Sequence, residues 1–469
     1  MTALGVGGSG SRDASPRPMR LAYFFTDLPV QAGTFPLAEI EAMLDRGIEI
    51  EIYCLRSRLP KGPMPEFLVR RTLVHRAPYL DVRTAGAVLR FLVTRPAPVL
   101  TSLARAIADT AGNPRVLVKT LAIFPKCCLF ARDLQRRRVD LLWAYWASIP
   151  GRAAWWISIL TGVPYGTWAH AGNDIYDRRH QTDTALRTIV SGASLCCTCN
   201  EANVRHFRTI LSPQAMAHVH LLPHGIDLAQ FEMRTQGLPE TTSARTDNRP
   251  APGVIRLLSV GRLGPAKGFQ HAIEACDLLR KRGLRVHYRI IGEGRLRQEL
   301  TARIASLGLE SNVILTGAIE QHLLPHEYRH ADILVMPSVI ASHGDRDGLP
   351  NVLLEAMSCG LPCIGSDALG IPEAIRNGET GLLVPPGDPT ALALAIERLA
   401  EDPAGARRMA LAARRLVEER YARSECLNQL AQLFQRVTTE SSTRRGRKSL
   451  AAAPEARLRS GPVVGMRRD

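Results

Sequence analysis

The chain has 469 residues, of which 45% are hydrophobic, 22% charged and 5% aromatic. This composition excludes collagen-like, broadly disordered and disulfide-rich proteins, and the length predicts two domains of roughly 200 residues each. Sixty Lys and Arg against 44 Asp and Glu give a net charge of +16, which favours acidic partners such as phosphorylated ligands or an anionic membrane. We expect no nucleic-acid partner, because no basic motif is interleaved with aromatic residues.

The first half of the chain alternates between apolar runs of strand length and helical segments. Before it, residues 1–18 are rich in Gly and Ser without an apolar run, so we expect a disordered tail and no secretory signal. Residues 19–228 form the predicted N-terminal domain, and residues 229–253, rich in Thr, Pro and Gly, form a predicted linker. The predicted strands of this half are Leu21–Thr26, Ile48–Leu55, Leu141–Trp146, Tyr165–Ala169, Ser194–Thr198 and His218–Leu222.

The same alternation restarts after the linker, over the predicted C-terminal domain at 254–438. Strands separated by helices indicate parallel sheets covered on both faces. We therefore predict an α/β fold of two Rossmann-like domains that face a central cleft, where ligands bind beyond the carboxyl ends of the strands. The predicted strands of this half are Ile255–Val260, Val286–Ile291, Val313–Thr316, Ile333–Met336 and Cys363–Gly365.

The end of the chain, residues 439–469, is predicted to be a basic disordered tail. Residues 441–469 carry eight Arg or Lys against two acids. Such a tail either binds anionic lipid or is solvated without a role, and both interpretations stay open. The most apolar window, Leu141–Ile159, is interrupted by Pro150 and Gly151, so we expect a strand, a turn and a helix there rather than a membrane-spanning helix.

The ten cysteines predict reduced core thiols, which is typical of the cytoplasm. Cys196, Cys197 and Cys199 lie together in an apolar run. A zinc site needs two cysteine pairs at ligand spacing or a Cys/His quartet, and the chain offers neither.

The most informative stretch is Gly344–Pro362. Pro350 and Gly360 bound a predicted helix, on which Glu355 is expected to lie opposite the buried face. Asp347 comes from the loop that enters this helix. A helix N-terminus suits a phosphate, and a carboxylate on the helix flank accepts hydrogen bonds from ribose or sugar hydroxyls. A helix glutamate taken alone is more often a solvated surface residue.

Two other loops at strand ends supply cations and glycines. Gly261 and Arg262 follow the strand Ile255–Val260, and Lys267 comes five residues later. Two cations at one strand end can grip a diphosphate. Gly292, Glu293 and Gly294 follow the next strand, where the glycines allow the backbone to approach a base or a ribose.

With these elements the second half resembles the retaining GT-B glycosyltransferases of family 4, over about residues 254–420. The resemblance continues through Gly370–Glu373, Asn377–Gly381 and Val384-Pro385. The first half is similar to the colanic-acid and exopolysaccharide type of this family. The segments that carry this second similarity are Phe24–Pro29, Thr34-Phe35, Glu39-Ile40, Ala169–Ala171, Asp174–Tyr176, Pro223–Asp227 and Gly344–Pro350.

The resemblance implies that residues 19–228 are the acceptor domain and residues 254–438 the nucleotide-sugar donor domain. It also implies a role for each site residue. Arg262 and Lys267 neutralise the donor diphosphate, Glu355 binds the ribose, and Asp347 contacts the donor sugar. His170 faces that sugar from the other side of the cleft. The implied catalytic residues are His170, Asp347, Arg262 and Lys267. The implied donor-binding residues are Gly261, Arg262, Lys267, Gly292, Glu293, Gly294, Leu349, Asn351, Val352 and Glu355, and Gly33 with Thr34 forms an acceptor or phosphate loop.

The chain departs from the family pattern in three places. Asp347 stands where many relatives have Glu, Ala32-Gly33 stands where this type has Ser-Glu, and His224 stands where Asn is more frequent. Without the resemblance, His170 is as well explained as a packed core histidine, because Trp168 and Ala169 precede it.

Asp345-Arg346-Asp347 spells the DxD metal motif of a different glycosyltransferase fold. In that fold the metal balances the leaving diphosphate, whereas here Arg262 and Lys267 would do so directly. We therefore expect no metal and no cofactor.

The resemblance implies a retaining, metal-independent glycosyltransferase of the hexosyltransferase type. It would move a sugar from a nucleotide-sugar donor, with a UDP-sugar expected, to a lipid-linked or polysaccharide acceptor in exopolysaccharide or cell-envelope glycan biosynthesis. We expect a cytoplasmic protein, peripheral at the inner face of the plasma membrane, with the anionic membrane surface as a partner. Two alternatives are a GT-B-fold nucleotide-sugar epimerase and a non-catalytic nucleotide-sugar-binding partner subunit.

Overall fold

A computed structural model describes residues 17–28, 35–57, 64–233, 253–368 and 370–451. Four predictions therefore lie wholly or mostly outside the described residues. They are the N-terminal tail 1–18, the loop with Gly33 and Thr34, the linker 229–253, and the last part of the basic tail, 452–469.

The first sheet has seven parallel strands in the order β3-β2-β1-β4-β5-β6-β7. Alternate residues of β1 point to opposite faces, so that Ala22 and Phe24 join one core cluster while Leu21 and Tyr23 join another. The strands are β1 Arg20–Phe25, β2 Glu49–Cys54, β3 Leu73–Arg76, β4 Leu141–Ala144, β5 Tyr165–Ala169, β6 Leu195–Thr198 and β7 Val219–Leu221.

Helices cover both faces of this sheet, as a parallel sheet requires. Helix α5 packs against α3, α4 and α6, and a π-helical turn over Ala171–Tyr176 follows β5. The helices are α1 Phe35–Asp45, α2 Glu66–Arg71, α3 Val82–Thr94, α4 Pro96–Thr110, α5 Pro114–Arg137, α6 Ile149–Thr161, α7 Asp183–Gly192, α8 Glu201–Ile210 and α9 Pro213–Met216.

The second sheet has six parallel strands in the order β10-β9-β8-β11-β12-β13. Its strands are β8 Ile255–Val260, β9 Val286–Ile291, β10 Val313–Gly317, β11 Ile333–Met336, β12 Cys363–Ser366 and β13 Leu382–Val384. Its helices are α10 Phe269–Lys281, α11 Arg297–Ser306, α12 Leu324–His330, α13 Asn351–Ser358, α14 Ile371–Ala374, α15 Pro389–Glu401 and α16 Pro403–Arg420. Two Rossmann-like parallel sheets confirm the predicted α/β architecture.

The last helix, α17 Arg423–Ala451, corrects the predicted C-terminal tail. Disorder from residue 439 is wrong for 439–451, because the helix continues to Ala451. Its first part also returns to the N-terminal domain, where Leu430 and Phe434 are buried in the cluster that contains β1. The predicted C-terminal domain therefore ends, in packing terms, before this helix.

Among the described residues no single helix meets the length and hydropathy expected of a membrane span. One pair of helices separated by a bend of 111°, α3 with α4, meets these criteria only when taken together. The apolar window at Leu141–Ile159 forms β4 and the first part of α6, as predicted.

Candidate functional site

The loops that follow three strands of the second sheet contact each other closely at glycines. Gly292 has φ +148°, and a Cβ atom at this position would overlap the carbonyl oxygen of Gly261. Gly268 has φ +62°, and a Cβ atom there would overlap the carbonyl oxygen of Pro337, just after β11. Glycine is therefore needed for contact between loops, which is a different reason from the predicted approach to a base or ribose.

Lys267 and Asp347 form an ion pair in the loops that follow the strand ends of the second sheet. The Lys267 Nζ atom donates to Asp347 Oδ1 at 2.8 Å, and the Ser338 hydroxyl donates to Asp347 Oδ2 at 2.5 Å. Both side chains of the ion pair are more than four-fifths buried. Arg262, from the same loop as Lys267, is exposed and has no ion pair among the described residues. The structure thus brings these predicted site residues to one strand edge.

The N-terminus of α13 opens onto the same edge. Leu349, Asn351 and Val352 are partly exposed. The amide of Leu349 donates to the Cys199 thiol, whereas those of Asn351 and Val352 have no backbone acceptor within the described ranges. Two of the three predicted phosphate-binding amides are therefore available to a ligand.

Glu355 is buried, contrary to the predicted exposed stripe. Helix α13 packs against α12, α16 and the strands β11 and β12, so little of its surface reaches water. Glu355 is 6% exposed and accepts a hydrogen bond from the Tyr328 hydroxyl at 2.8 Å. Burial raises the pKa of Glu355 to about 7.

His170 lies on the N-terminal domain, directly after β5, with a partner on each ring nitrogen. Its Nδ1 atom is 3.3 Å from Asp174 Oδ2, and its Nε2 atom is 2.9 Å from Nε2 of His224. Burial, together with His170 and Arg423, lowers the pKa of His224. Because two Nε2 atoms face each other at this distance, one of them donates the hydrogen bond and the other accepts it.

The loop that carries Asp347 crosses the cleft and contacts the turn after His170. The Arg346 guanidinium lies 4.4 Å from the Tyr176 ring centroid. A Cβ atom on Gly348 would lie 3.1 Å from the Ala171 Cβ atom. The two halves of the predicted site therefore come from loops that touch each other.

Asp345, the first acid of the DxD sequence, belongs to a different group from Asp347. Ligand atoms of Asp177, His343 and Asp345 lie within 4.8 Å of one another. Arg179 donates to both carboxylate oxygens of Asp177, at 2.9 and 2.6 Å, and so already supplies a positive charge there. The two acids of the DxD sequence do not converge on one position, since Asp347 faces Lys267 and Ser338.

Glu293 and Gly294 complete the predicted donor residues of the second sheet. Glu293 is exposed and accepts from Arg297 Nη1 at 2.9 Å. A Cβ atom on Gly294 would overlap the Leu263 carbonyl oxygen. These contacts place both residues beside the Lys267 loop, and their role toward a donor stays a prediction.

Sequence reasoning gave no role to two glutamates, the partly exposed Glu373 and the buried Glu39. Glu373, from the C-terminal domain, accepts from the backbone amides of Glu201 and Ala202 at 2.9 and 3.1 Å, and so caps α8 of the other domain. The Gly370–Glu373 similarity marked this residue without giving it a role.

Glu39, the second of these glutamates, lies in the N-terminal domain near Trp168 and His224. It accepts hydrogen bonds from Tyr23, Trp143 and Trp168 at 2.9 to 3.0 Å. Burial raises its pKa to about 7. The only sequence signal was its place in the Glu39-Ile40 similarity, because its donors come from distant strands.

Comparison with known proteins agrees with this geometry. Residues 241–416 match the family described as glycosyl transferases group 1. The amylovoran biosynthesis glycosyltransferase AmsK of Erwinia amylovora is 40% identical over 183 residues, which are 39% of this chain and 45% of that protein. WcaL of Escherichia coli (strain K12), named as a colanic acid biosynthesis glycosyltransferase, is 27% identical over 80% of this chain and 89% of its own length.

Solved structures support the fold over a longer part of the chain. The crystal structure of Anabaena Alr3699/HepE in complex with UDP-glucose matches with a TM-score of 0.64 and 18% identity, over 89% of this chain and 99% of that one. The two Rossmann-like domains therefore share the GT-B architecture of this structure, and the predicted fold class is confirmed.

Proposed function

We propose that this protein is a retaining hexosyltransferase that uses a nucleotide-sugar donor, most readily a UDP-sugar. The acceptor is a lipid-linked glycan or a polysaccharide of exopolysaccharide or cell-envelope biosynthesis, presented at the inner face of the plasma membrane. The observation that carries the proposal is the Lys267–Asp347 pair, which lies beside Arg262 and the open N-terminus of α13. Cations and free amides at one strand edge suit a diphosphate.

In the proposed reaction these groups stabilise the departing diphosphate. The bond between the anomeric carbon and the diphosphate oxygen breaks, and a bond from that carbon to the acceptor oxygen forms on the same face. The hydroxyl proton of the acceptor passes to the leaving diphosphate. Lys267 acts mainly in the transition state, because negative charge develops on the diphosphate as the bond breaks.

The relatives support the class of donor and product. HepE is described in complex with UDP-glucose, and the two curated relatives are named for amylovoran and colanic acid biosynthesis. Asp347 would contact the transferring sugar, Glu355 the ribose, and His170 the sugar from the opposite domain. Because position 347 carries Asp where many relatives have Glu, the side chain that would contact the transferring sugar is one methylene shorter.

We propose that the reaction needs no divalent metal, because Lys267 and Arg262 would supply the positive charge. We expect turnover to continue in excess EDTA and to be unchanged by added manganese. Loss of turnover in EDTA with recovery in manganese would contradict this proposal, and would direct attention to Asp177, His343 and Asp345.

A panel of nucleotide sugars, each incubated with the protein and lipid-linked acceptors and analysed by mass spectrometry, tests the function. We expect one donor to yield a glycosylated acceptor and free nucleoside diphosphate. An epimerase would change the donor without acceptor, and a non-catalytic subunit would bind donor without product. Either of these outcomes would overturn the transferase proposal.

A further inference from the structure

Exposed apolar side chains concentrate in one part of the N-terminal domain. Among the described residues, 17 large apolar side chains are exposed, and 12 of them lie between Val69 and Leu121. Single exposed apolar residues need no explanation, but a concentration of this kind marks a contact surface.

Helix α3 presents the densest part of this surface. Its buried residues Thr84, Ala87 and Phe91 face the core. Val82, Leu89 and Val93 recur at helical spacing on the opposite side and are 90%, 63% and 71% exposed. The outward side of α3 is thus apolar, where a helix at a protein surface normally places polar residues.

Arginines flank this apolar stripe, and the first of them, Arg83, pairs with Asp81 just before the helix. Arg83, Arg90 and Arg95 are exposed, and the span from Val82 to Arg95 contains no Asp or Glu. The wider region 64–138 holds 14 Lys or Arg against four acids, a net charge of +10 out of the +16 of the whole chain. The charge of the protein is therefore concentrated where its apolar side chains are exposed.

We propose that the outward side of α3, which we call the α3 face and define by Val82, Leu89, Leu92 and Val93 together with Leu80 from the preceding turn, binds an anionic lipid bilayer. An apolar stripe flanked by cations fits the boundary between acyl chains and acidic head groups. With 13 residues, α3 is shorter than the about 20 needed to span the hydrocarbon core, and the 111° bend to α4 prevents a continuous span. The helix therefore lies in the plane of the membrane surface.

The neighbouring helices connect this region to the catalytic cleft. The turn between α4 and α5 contributes Asn113 and Arg115 to a cavity whose other wall includes Arg178, Arg179 and His343. His343 belongs to the loop that continues to Asp347. An acceptor held in the bilayer would reach the cleft by this side; this route rests on the proposed function, whereas binding of the α3 face to lipid does not.

Flotation of the full-length protein with lipid vesicles tests the proposal without any sugar present. The vesicles are phosphatidylcholine alone, or phosphatidylcholine with phosphatidylglycerol. The apolar variant is Leu89→Gln with Val93→Gln, since glutamine maintains helix propensity. Its matched control is Leu394→Gln with Leu411→Gln, which changes two exposed leucines of the C-terminal domain.

We expect the wild type to float with the anionic vesicles and the apolar variant to lose at least about tenfold in partitioning, while the leucine control floats like the wild type. Arg83→Gln with Arg90→Gln should weaken binding only to anionic vesicles, with Arg407→Gln and Arg415→Gln as the control. Circular dichroism checks that each variant is folded.

Three results would overturn the proposal. The first is that the wild type does not float with the vesicles. The second is that the apolar variant and its control float equally, which would assign membrane binding to another part of the chain. Alternatively, the wild type would be a dimer without lipid and the apolar variant a monomer, which would make the α3 face a contact between two copies. Transferase activity is not measured in this assay, so either proposal can fail alone.

Discussion

At the residue scale, Lys267 already forms an ion pair with the Asp347 carboxylate before any donor binds. Asp347 and Ser338 fix its position at the end of β8, while exposed Arg262 has no such restraint. A preorganised cation stabilises developing charge without reorganising at the moment of reaction. We therefore assign the larger catalytic effect to Lys267 and the capture of the diphosphate to Arg262.

Lys267→Ala should lower turnover on the order of a hundredfold, because it removes a charge that acts on the leaving diphosphate. Arg262→Ala should also lower kcat/KM, mainly through weaker donor binding. The matched control is Lys281→Ala, an exposed lysine of α10 in the same domain. Initial rates over a range of donor concentrations give kcat and KM, and wild-type values of both constants in both site variants would disprove the diphosphate assignment.

Glu355→Gln should remove part of the pH dependence of stability. Burial raises the folded-state pKa of Glu355 from 4.5 to about 7, so this group stabilises the fold most below about pH 4.5 and loses that contribution as the pH rises through 7. Glutamine still accepts the Tyr328 hydrogen bond without a buried charge.

We expect Glu355→Gln to increase the free energy of unfolding at pH 8 by on the order of 1–3 kcal/mol, with little change at pH 4.5. Urea denaturation at the two pH values measures this. Equal destabilisation at both would show that the carboxylate is ionised and well paired in the folded protein.

At the element scale, the sequence predicted strands best where they are central and apolar. Ile255–Val260, Val286–Ile291 and Ile333–Met336 were predicted with the observed bounds, and each lies between two other strands of the second sheet. The sheet-edge strands β3 and β13 were missed; they have only four and three residues, and β3 is not buried. Burial of a carboxylate such as Glu355 was missed because it depends on helices that come from other parts of the chain.

For helix α17, local composition predicted disorder where the structure has a helix. Its basic end resembles a disordered tail, but Leu430 and Phe434 recur at helical spacing and pack on the first sheet. The ring of Phe434 lies 4.8 Å from that of Trp143. This helix therefore fastens the end of the chain to the N-terminal domain.

Phe434→Ala should destabilise the protein by about 3–5 kcal/mol, because it leaves a cavity beside Trp143. Leu394→Ala, which truncates a half-exposed leucine of α15, should change stability by less than about 1 kcal/mol. Thermal unfolding of both variants provides the comparison. A similar melting temperature for Phe434→Ala and the wild type would mean that α17 is not docked in solution.

At the scale of the whole molecule, the candidate site exists only because the two domains meet. His170 and its turn come from the first sheet, whereas Lys267, Asp347 and α13 come from the second. Glu373 ties the domains together by capping α8. The sequence predicted which residues would be at the strand ends, but the opposing histidine pair and this cap depend on the relative placement of two domains.

The measurement that tests the site most directly is a comparison of kcat and KM for Asp347→Asn and Glu355→Gln with the donor that the wild type uses. Asp347→Asn should lower kcat more than it raises KM, because Asp347 acts on the transferring sugar and holds Lys267. Glu355→Gln should mainly raise KM, because ribose binding is similar in the ground and transition states. If both variants retain near-normal kcat and KM, the loop and helix at 347–355 are not the active site.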